Sequence, residues 1–295
     1  MKLILLIPKI KIHNANALSS PYTIGFPAMT AWLGGTHALE RMIRAEGYGS
    51  VHFKSMSVVC HSIDLQTYKG QGDYVYSIIS TGNPLDKEGK RASFIEEARC
   101  HLTVSLVIEF ENLGLVDHNE FIENVDSNVR GRLKLAGGDI LDCAKPEFIE
   151  IDNEISCKKL LRKLMPGHCL IERRDLMIQS MEEGKDAIDA LLDYVKVTYG
   201  SEVDEDGAVS WSSHRKEKGW IVPIATGFHG ITGVGTAENQ RDPDTPHRFA
   251  ESIVTLGEFV MPYRIAELDE MLWHYYVDLD NNLYLCQQNK FFNMN

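Results

Sequence analysis

The sequence predicts an α+β fold, and three stretches carry that prediction. Lys2–Gly47 reads as strand, polar turn and helix. Leu3–Ile7 is an unbroken apolar run, Asn14–Pro27 is dense in small polar side chains, and Met29, Trp32, Leu33, Thr36, Leu39 and Ile43 recur at helical spacing. Glu97–Phe110 has the clearest period of two in the chain: Ala98, Cys100, Leu102, Val104, Leu106, Ile108 and Phe110 fall on one face. Asp117–Gly131 returns to the helical period, with Phe121, Ile122, Val125 and Val129 on its apolar side.

Composition bounds the class. With 295 residues, 44% hydrophobic and 24% charged, the chain can bury a substantial core and is not a disordered protein. A formal net charge of −12 argues against a protein that coats nucleic acid by itself, because phosphate binding is driven by Lys and Arg. It leaves room for local basic faces. The six cysteines form no C-x-x-C pair, so zinc modules and dithiol redox motifs are not expected, and buried reduced thiols are. No apolar run approaches membrane-spanning length, and a cytoplasmic protein without cofactor or metal is the expectation.

Each element follows from its pattern. Leu3–Ile7 suits a central strand covered on both faces; beyond Pro8, Ile10 and Ile12 alternate with Lys9 and Lys11. Asn14–Pro27 reads as a polar loop, with Pro27 in the first turn of a helix that stops at Gly47. Val51–His61 and Tyr74–Thr81 are strands by β propensity, and the latter runs into a turn at Glu88–Gly89. On the second face of Glu97–Phe110, Arg99, His101, Thr103, Ser105 and Glu109 make a polar row that is solvated or binds something. Asp117 with Glu120 resembles a capping box. Ile155–Tyr199 reads as mostly helical, Ser201–Ala208 as an exposed acidic linker and Trp220–Ile224 as a short buried strand. Thr245–Pro246 suits a helix start running through Val260. Leu272–Trp273, an Asn281–Asn282 turn and the following LYLC suggest a closing hairpin.

Asn14-Ala-Asn-Ala17, Ser19-Ser-Pro21, Thr23, Gly25-Phe-Pro27 and His37-Ala-Leu39 together resemble a family. So, in order along the chain, do Cys60-His61, Asn83-Pro84-Leu85, Leu135-Ala-Gly-Gly138 and Arg241 through Glu258. The family is that of the Cas-five-type second subunit of the Csy-type, subtype I-F, CRISPR surveillance complex. This resemblance implies an RRM-like (ferredoxin-like) core of the RAMP superfamily with a thumb hairpin and a helical insertion. The implied layout is a core over 1–151 with the thumb near 74–98, an insertion over 152–204, and 205–295 completing the core. The resemblance further implies binding of the crRNA 5′ handle without catalysis. The implied partners are the large subunit of the complex, the backbone subunits of the crRNA filament and, through the assembled complex, target DNA. No membrane partner is expected.

Candidate RNA contacts combine both lines of reasoning. Asn14, Asn16, Ser19 and Ser20 offer neutral donors and acceptors that suit base edges, with Tyr22 stacking beside them; the plainer alternative is that both Asn only hold turns. His61 at a strand end either faces RNA or is a half-buried, hydrogen-bonded His. Lys87, Lys90 and Arg91 cluster at the thumb turn, where the family's basic residue before Asn-Pro is replaced by Gly82. Arg99 and His101 lie on the polar strand face, which lacks the aromatic pair of a true RRM. Arg132 with Gly137 and Gly138 permits close phosphate approach, although Gly-Gly is more often a turn. Arg241 and Arg248 are phosphate ligands or, with Asp242, Asp244 and Glu251 at hand, structural ion pairs; the pairing is favoured. Two rivals stand against RNA binding without chemistry. A metal-independent RAMP endoribonuclease would need a second positioned group beside a histidine such as His37, which instead suits helix packing. A pure protein–protein adaptor fits the charge better and the Asn/Ser-rich stretch worse.

Overall fold

The computed structural model describes residues 1–79, 85–91, 97–114, 117–204, 206–238, 240 and 242–288. β1 (Lys2–Asn16) opens the fold. Ile4 and Leu6 belong to one core cluster, Leu5 and Ile7 to another, so the apolar run is covered on both faces as its composition requires. Farther along, Ile10 and Ile12 stay buried while Lys11 and His13 emerge. The predicted polar loop is more regular than expected: β1 continues to Asn16, and β2 (Leu18–Ser20) pairs with β3 (Thr23–Ile24) in a small hairpin. α1 (Met29–Ala45) buries its whole predicted stripe. Pro27 lies just before the Ala28 N-cap rather than in the first turn, and its carbonyl accepts from Trp32 Nε1 at 3.2 Å.

β4 (His52–Leu65) runs past His61. β5 (Thr67–Tyr68) and β6 (Ser77–Ile78) form a short ribbon, so within its described part the strand expected from Tyr74 narrows to two residues. β7 (Arg99–Glu111) and α2 (His118–Gly131) follow, the latter capped by Asp117, which accepts from Asn119 N at 2.7 Å. β8 (Lys134–Leu135), β9 (Gly138–Asp142) and β10 (Glu147–Ile151) precede α3 (Glu154–Lys163).

The C-terminal half departs further from expectation. The stretch read as mostly helical is so, holding α3, α4 (Arg174–Glu182) and α5 (Ala187–Val195), but it also holds β11 (His168–Glu172), a core strand paired with others from both halves of the chain. The acidic stretch is no linker: it is the end of β12 (Thr198–Val203) and the turn into β13 (Val209–His214). β14 (Ile221–Gly230) is longer than the strand expected there. The helix expected from Thr245 to Val260 is a strand, β15 (Ala250–Val260). Tertiary pairing on both edges, to β11 and β14, outweighs the local Thr-Pro signal. β16 (Trp273–Asp278) and β17 (Leu283–Gln288) make the predicted closing hairpin.

The result is an α+β architecture built on one eleven-stranded sheet, ordered β11-β15-β14-β17-β16-β4-β7-β1-β9-β8, with β10 also on β1. Its pairings are antiparallel. The free edge of β4 is shared: Met56 meets Trp273 of β16, while Val59 and Cys60 meet β11. The pairings therefore close into a ring from β4 through β16, β17, β14, β15 and β11 back to β4. Trp273, fully buried, ties the ring across its middle by donating from Nε1 to Leu170 O at 2.9 Å.

One sheet face packs under α1 and α2 around Trp32, Phe110 and Phe121. The other is covered by α3 and the turns at Pro262–Arg264 and Leu268–Glu270, through Leu160, Leu161, Leu164 and Met271. All six cysteines are buried and free, and burial pushes the Cys169 thiol up to about 12. Among the described residues no helix is long and apolar enough to cross a membrane.

Candidate nucleic-acid interface

The second cover stops short. Along β7 the predicted polar face is dry at Ser105, Val107 and Glu109, all buried, and half-exposed only at Thr103, His101 and Arg99. The expectation of an open face along the whole strand is thus corrected, because α3 and its neighbours close over one half of it. On the uncovered half, β1 runs alongside with Lys11 opposite Thr103 and Asn16 opposite Arg99. β4 contributes Ser62 opposite Thr103 and Asp64 opposite His101.

Two bulges shape the β1 side of this patch. At the first, Lys9 takes φ +54° and its N–H leaves the ladder to donate to Ser105 Oγ at 3.0 Å. At the second, Asn14 takes φ +62° and its N–H donates to His101 Nδ1 at 3.1 Å. A bulge adds a residue, bends the strand and re-aims the side chains beyond it. Here the consequence is that His13 stacks on His101, ring centroids 4.3 Å apart. Accepting at Nδ1 places the His101 proton on Nε2.

The predicted contact residues take distinct places. Asn14 is exposed at the second bulge. Asn16 is exposed too, but its amide is used locally: Nδ2 donates to Leu18 O and Oδ1 accepts from Leu18 N, both at 3.1 Å. Ser19 Oγ and Ser20 Oγ each bond Thr23 Oγ1, and Ser20 is buried, so both serines hold the β2–β3 hairpin. Tyr22 at its tip is 82% exposed. Arg99 pairs with Glu97 at 2.6 Å.

His61 sits at the border between the dry and wet halves. Its Nε2 lies 2.7 Å from Ser105 Oγ and its Nδ1 2.5 Å from Pro166 O. One proton arrangement satisfies the chain: Lys9 N–H donates to Ser105, the Ser105 hydroxyl to His61 Nε2, and His61 Nδ1–H to Pro166. Lys9 Nζ stands 2.8 Å from Nδ1, but in this arrangement both are donors and no hydrogen bond joins them; the other tautomer would accept from Lys9 and leave the Pro166 carbonyl without its donor. Desolvation chiefly, with Lys9 and His168 adding, holds the His61 pKa below its usual value; the Pro166 carbonyl opposes. Desolvation likewise lowers Lys9.

Most of the remaining residues do not line the patch, and Gly138 supports it from β9. Arg132 caps α2 and reaches Glu46 at 2.9 Å, on the helix-covered side of the sheet. Gly137, at φ +74°, completes the β8–β9 turn. At Gly138 a Cβ would stand 2.7 Å from His13 O and 2.8 Å from Ala15 N, so glycine lets the second bulge pack down. The thumb turn is built by Asp86, whose Oδ1 accepts from Glu88 N and Lys90 N at 2.9 and 2.8 Å. Lys87 is exposed there, Lys90 pairs with Glu88 at 3.1 Å, and Arg91 follows. Arg248 packs on Gly230 with its Nε buried and unpartnered, and no ion pair joins it to Asp242, Asp244 or Glu251 among the described residues. Asp242 instead accepts from the Thr245 hydroxyl at 2.7 Å. The pairing favoured for Arg248 is therefore corrected. Arg241 lies outside the described residues, as do Gly82, Asn83 and Pro84. His37, expected to pack, is exposed on α1.

Sequence reasoning does not single out Lys9, Lys11 and His13 as site residues, although their period of two is visible. It lacks the register and bulges that set Lys11 beside Thr103, His13 on His101 and Lys9 by His61. Their charge is only partly offset, Lys11 by Asp142 at 3.4 Å. Among the described residues no group of His, Cys, Asp and Glu is arranged to hold a metal ion.

The class that fold and site define is an antiparallel α+β chain with a half-covered sheet, whose open end carries Lys, His, Thr and Asn side chains among paired acids. Comparison with known proteins narrows that class. The model of the CRISPR-associated protein family Cas_Csy2 matches residues 5–286. "CRISPR-associated protein Csy2" of Pseudomonas aeruginosa (strain UCBPP-PA14) is 32% identical over 310 residues, covering 95% of this chain and 94% of that protein. The chain belongs to the Csy2 family, the second subunit of the type I-F Csy complex.

Proposed function

We propose that this chain binds the 5′ handle of the crRNA within the Csy complex, without catalysing a reaction. The observation that carries the reading is the uncovered end of the sheet, where Lys11 and His13 on β1 lie beside Thr103 and His101 on β7 next to the Asn14 bulge, with Lys9 at its border by Ser105 and His61. A sheet face with cations, hydroxyls and flat rings suits single-stranded RNA, whose phosphates, 2′-hydroxyls and bases each find a partner there. On this reading the core is RRM-like, and the main contacts are Lys9, Lys11, His13, Asn14, Arg99 and His101. Tyr22 and the thumb cations Lys87, Lys90 and Arg91 lie farther along the RNA. The subunit pairs with the large subunit, abuts the backbone filament, meets target DNA only through the complex and works in the cytoplasm.

Two features favour binding without chemistry. His61 is held neutral with both ring nitrogens engaged. His13 and His101 are stacked face to face rather than set on opposite sides of a position where a phosphate could react.

The test is Lys11→Ala with His13→Ala in the assembled complex. Both side chains are exposed, so the melting temperature of the subunit should hold. RNA retention should fall, and the slope of log affinity against log salt should flatten by about 0.7, the share of a single lysine–phosphate pairing. Unchanged retention with an unchanged slope would overturn the reading.

A further inference from the structure

We infer that the β12–β13 hairpin is a docking arm for a different protein chain, whose contact surface is apolar with a cationic rim. The register pairs Tyr199 with Ser213, Ser201 with Trp211 and Val203 with Val209, so Tyr199, Val203, Val209 and Trp211 share one face. That face is bare: these side chains are 75%, 68%, 53% and 77% exposed. Thr198, Glu202, Ser210, Ser212 and His214 take the other face, so the arm is amphipathic, and among the described residues nothing lies beneath its apolar side.

A two-stranded hairpin is marginal in water, and stability normally comes from a surface to pack on. This one is well formed without such a surface. Its tip is closed by Asp204, whose Oδ1 accepts from Asp206 N at 3.1 Å and Ala208 N at 2.8 Å, with Gly207 at φ +80°. Its base is moored by Lys216, which lies 4.5 Å from the Tyr194 ring centroid and 3.4 Å from Asp193 Oδ2. The arm thus holds a Tyr–Trp–Val face away from the body. Aromatic side chains held out in this way are the usual anchors of protein interfaces.

Charge selects the occupant. Asp204 and Asp206 lie at the tip, with Glu202 just before it on the polar face, so a nucleic-acid strand would be repelled from the end of the arm. A protein surface with Lys or Arg around an apolar patch is complementary. A second copy of this chain, itself at −12, is disfavoured at long range. The arm lies outside the RNA-facing patch, and the inference does not depend on the RNA reading.

The experiment places a photoreactive benzoylphenylalanine at Trp211 in the intact Csy complex and identifies the cross-linked peptides. In parallel, Tyr199→Ser with Trp211→Ser is introduced, and the complex is captured through its RNA. The expected result is a cross-link to a Lys- or Arg-bearing peptide of another subunit. Retention of that subunit by the double variant should fall at least tenfold, with RNA retention and the melting temperature of the isolated variant unchanged. Cross-links confined to RNA, cross-links to a second copy of the chain, or no cross-link in the intact complex would each overturn the inference. So would a cross-link that leaves the variant's subunit retention intact.

Discussion

His61 shows how a single side chain can mark a boundary. It links Ser105 on the dry half of the sheet face to Pro166 in the loop after α3, and burial favours its neutral form. Its folded pKa lies below its unfolded value of about 6.5. Between those two values the unfolded chain binds a proton that the fold refuses, so stability is full above the unfolded value and declines as pH falls through the folded one. The melting temperature of the subunit should therefore drop as pH is lowered from about 7 towards 5. His61→Gln should lessen that drop, leaving the part due to His274, which burial shifts in the same direction. A variant profile that overlays the parent would mean that His61 is not the titrating group.

At the scale of elements, the β1 bulges separate two asparagines that composition alone treats as equals. Asn16 uses its amide on Leu18, whereas Asn14 supplies a left-handed backbone and leaves its amide exposed. Asn16→Ala should cost about 1–2 kcal/mol, read as a lower melting temperature, with handle preference intact. Asn14→Gly keeps the backbone that the bulge requires and removes only the amide. It should melt like the parent while discriminating authentic from scrambled handle RNA less well; equal discrimination would remove Asn14 from the interface. Sequence reading reaches strand β1, the α1 stripe, the alternation of β7, the Asp117 cap and the closing hairpin, because each is written in local period or local chemistry. It misses β11 because HCLIE is five residues inside a helix-rich stretch, and β15 because a Thr-Pro start signal precedes a segment whose fate is decided by partners on both edges. The candidate site is half legible for the same reason. Arg99 and His101 announce themselves on an alternating strand, whereas Lys11 and His13 acquire meaning only when bulged β1 is laid in register beside them.

For the molecule as a whole, the ring of strand pairings matters more than chain order. β11, ahead of the arm, is paired at Cys169 through Glu172 with residues 257–260 of β15, behind it, while Trp273 reaches back to Leu170. A protease site placed at Asp206–Gly207 would cut between these partners without disturbing the pairing itself. The cleaved protein should run as two bands on a denaturing gel and as one peak of parental size on gel filtration; two separate peaks would contradict this. Cohesion of the body, then, does not pass through the peptide bonds of the arm. The two sides of the cut hold one another as interlocked hands do, and the arm is a place where the chain can be lengthened, replaced or severed while the grip persists.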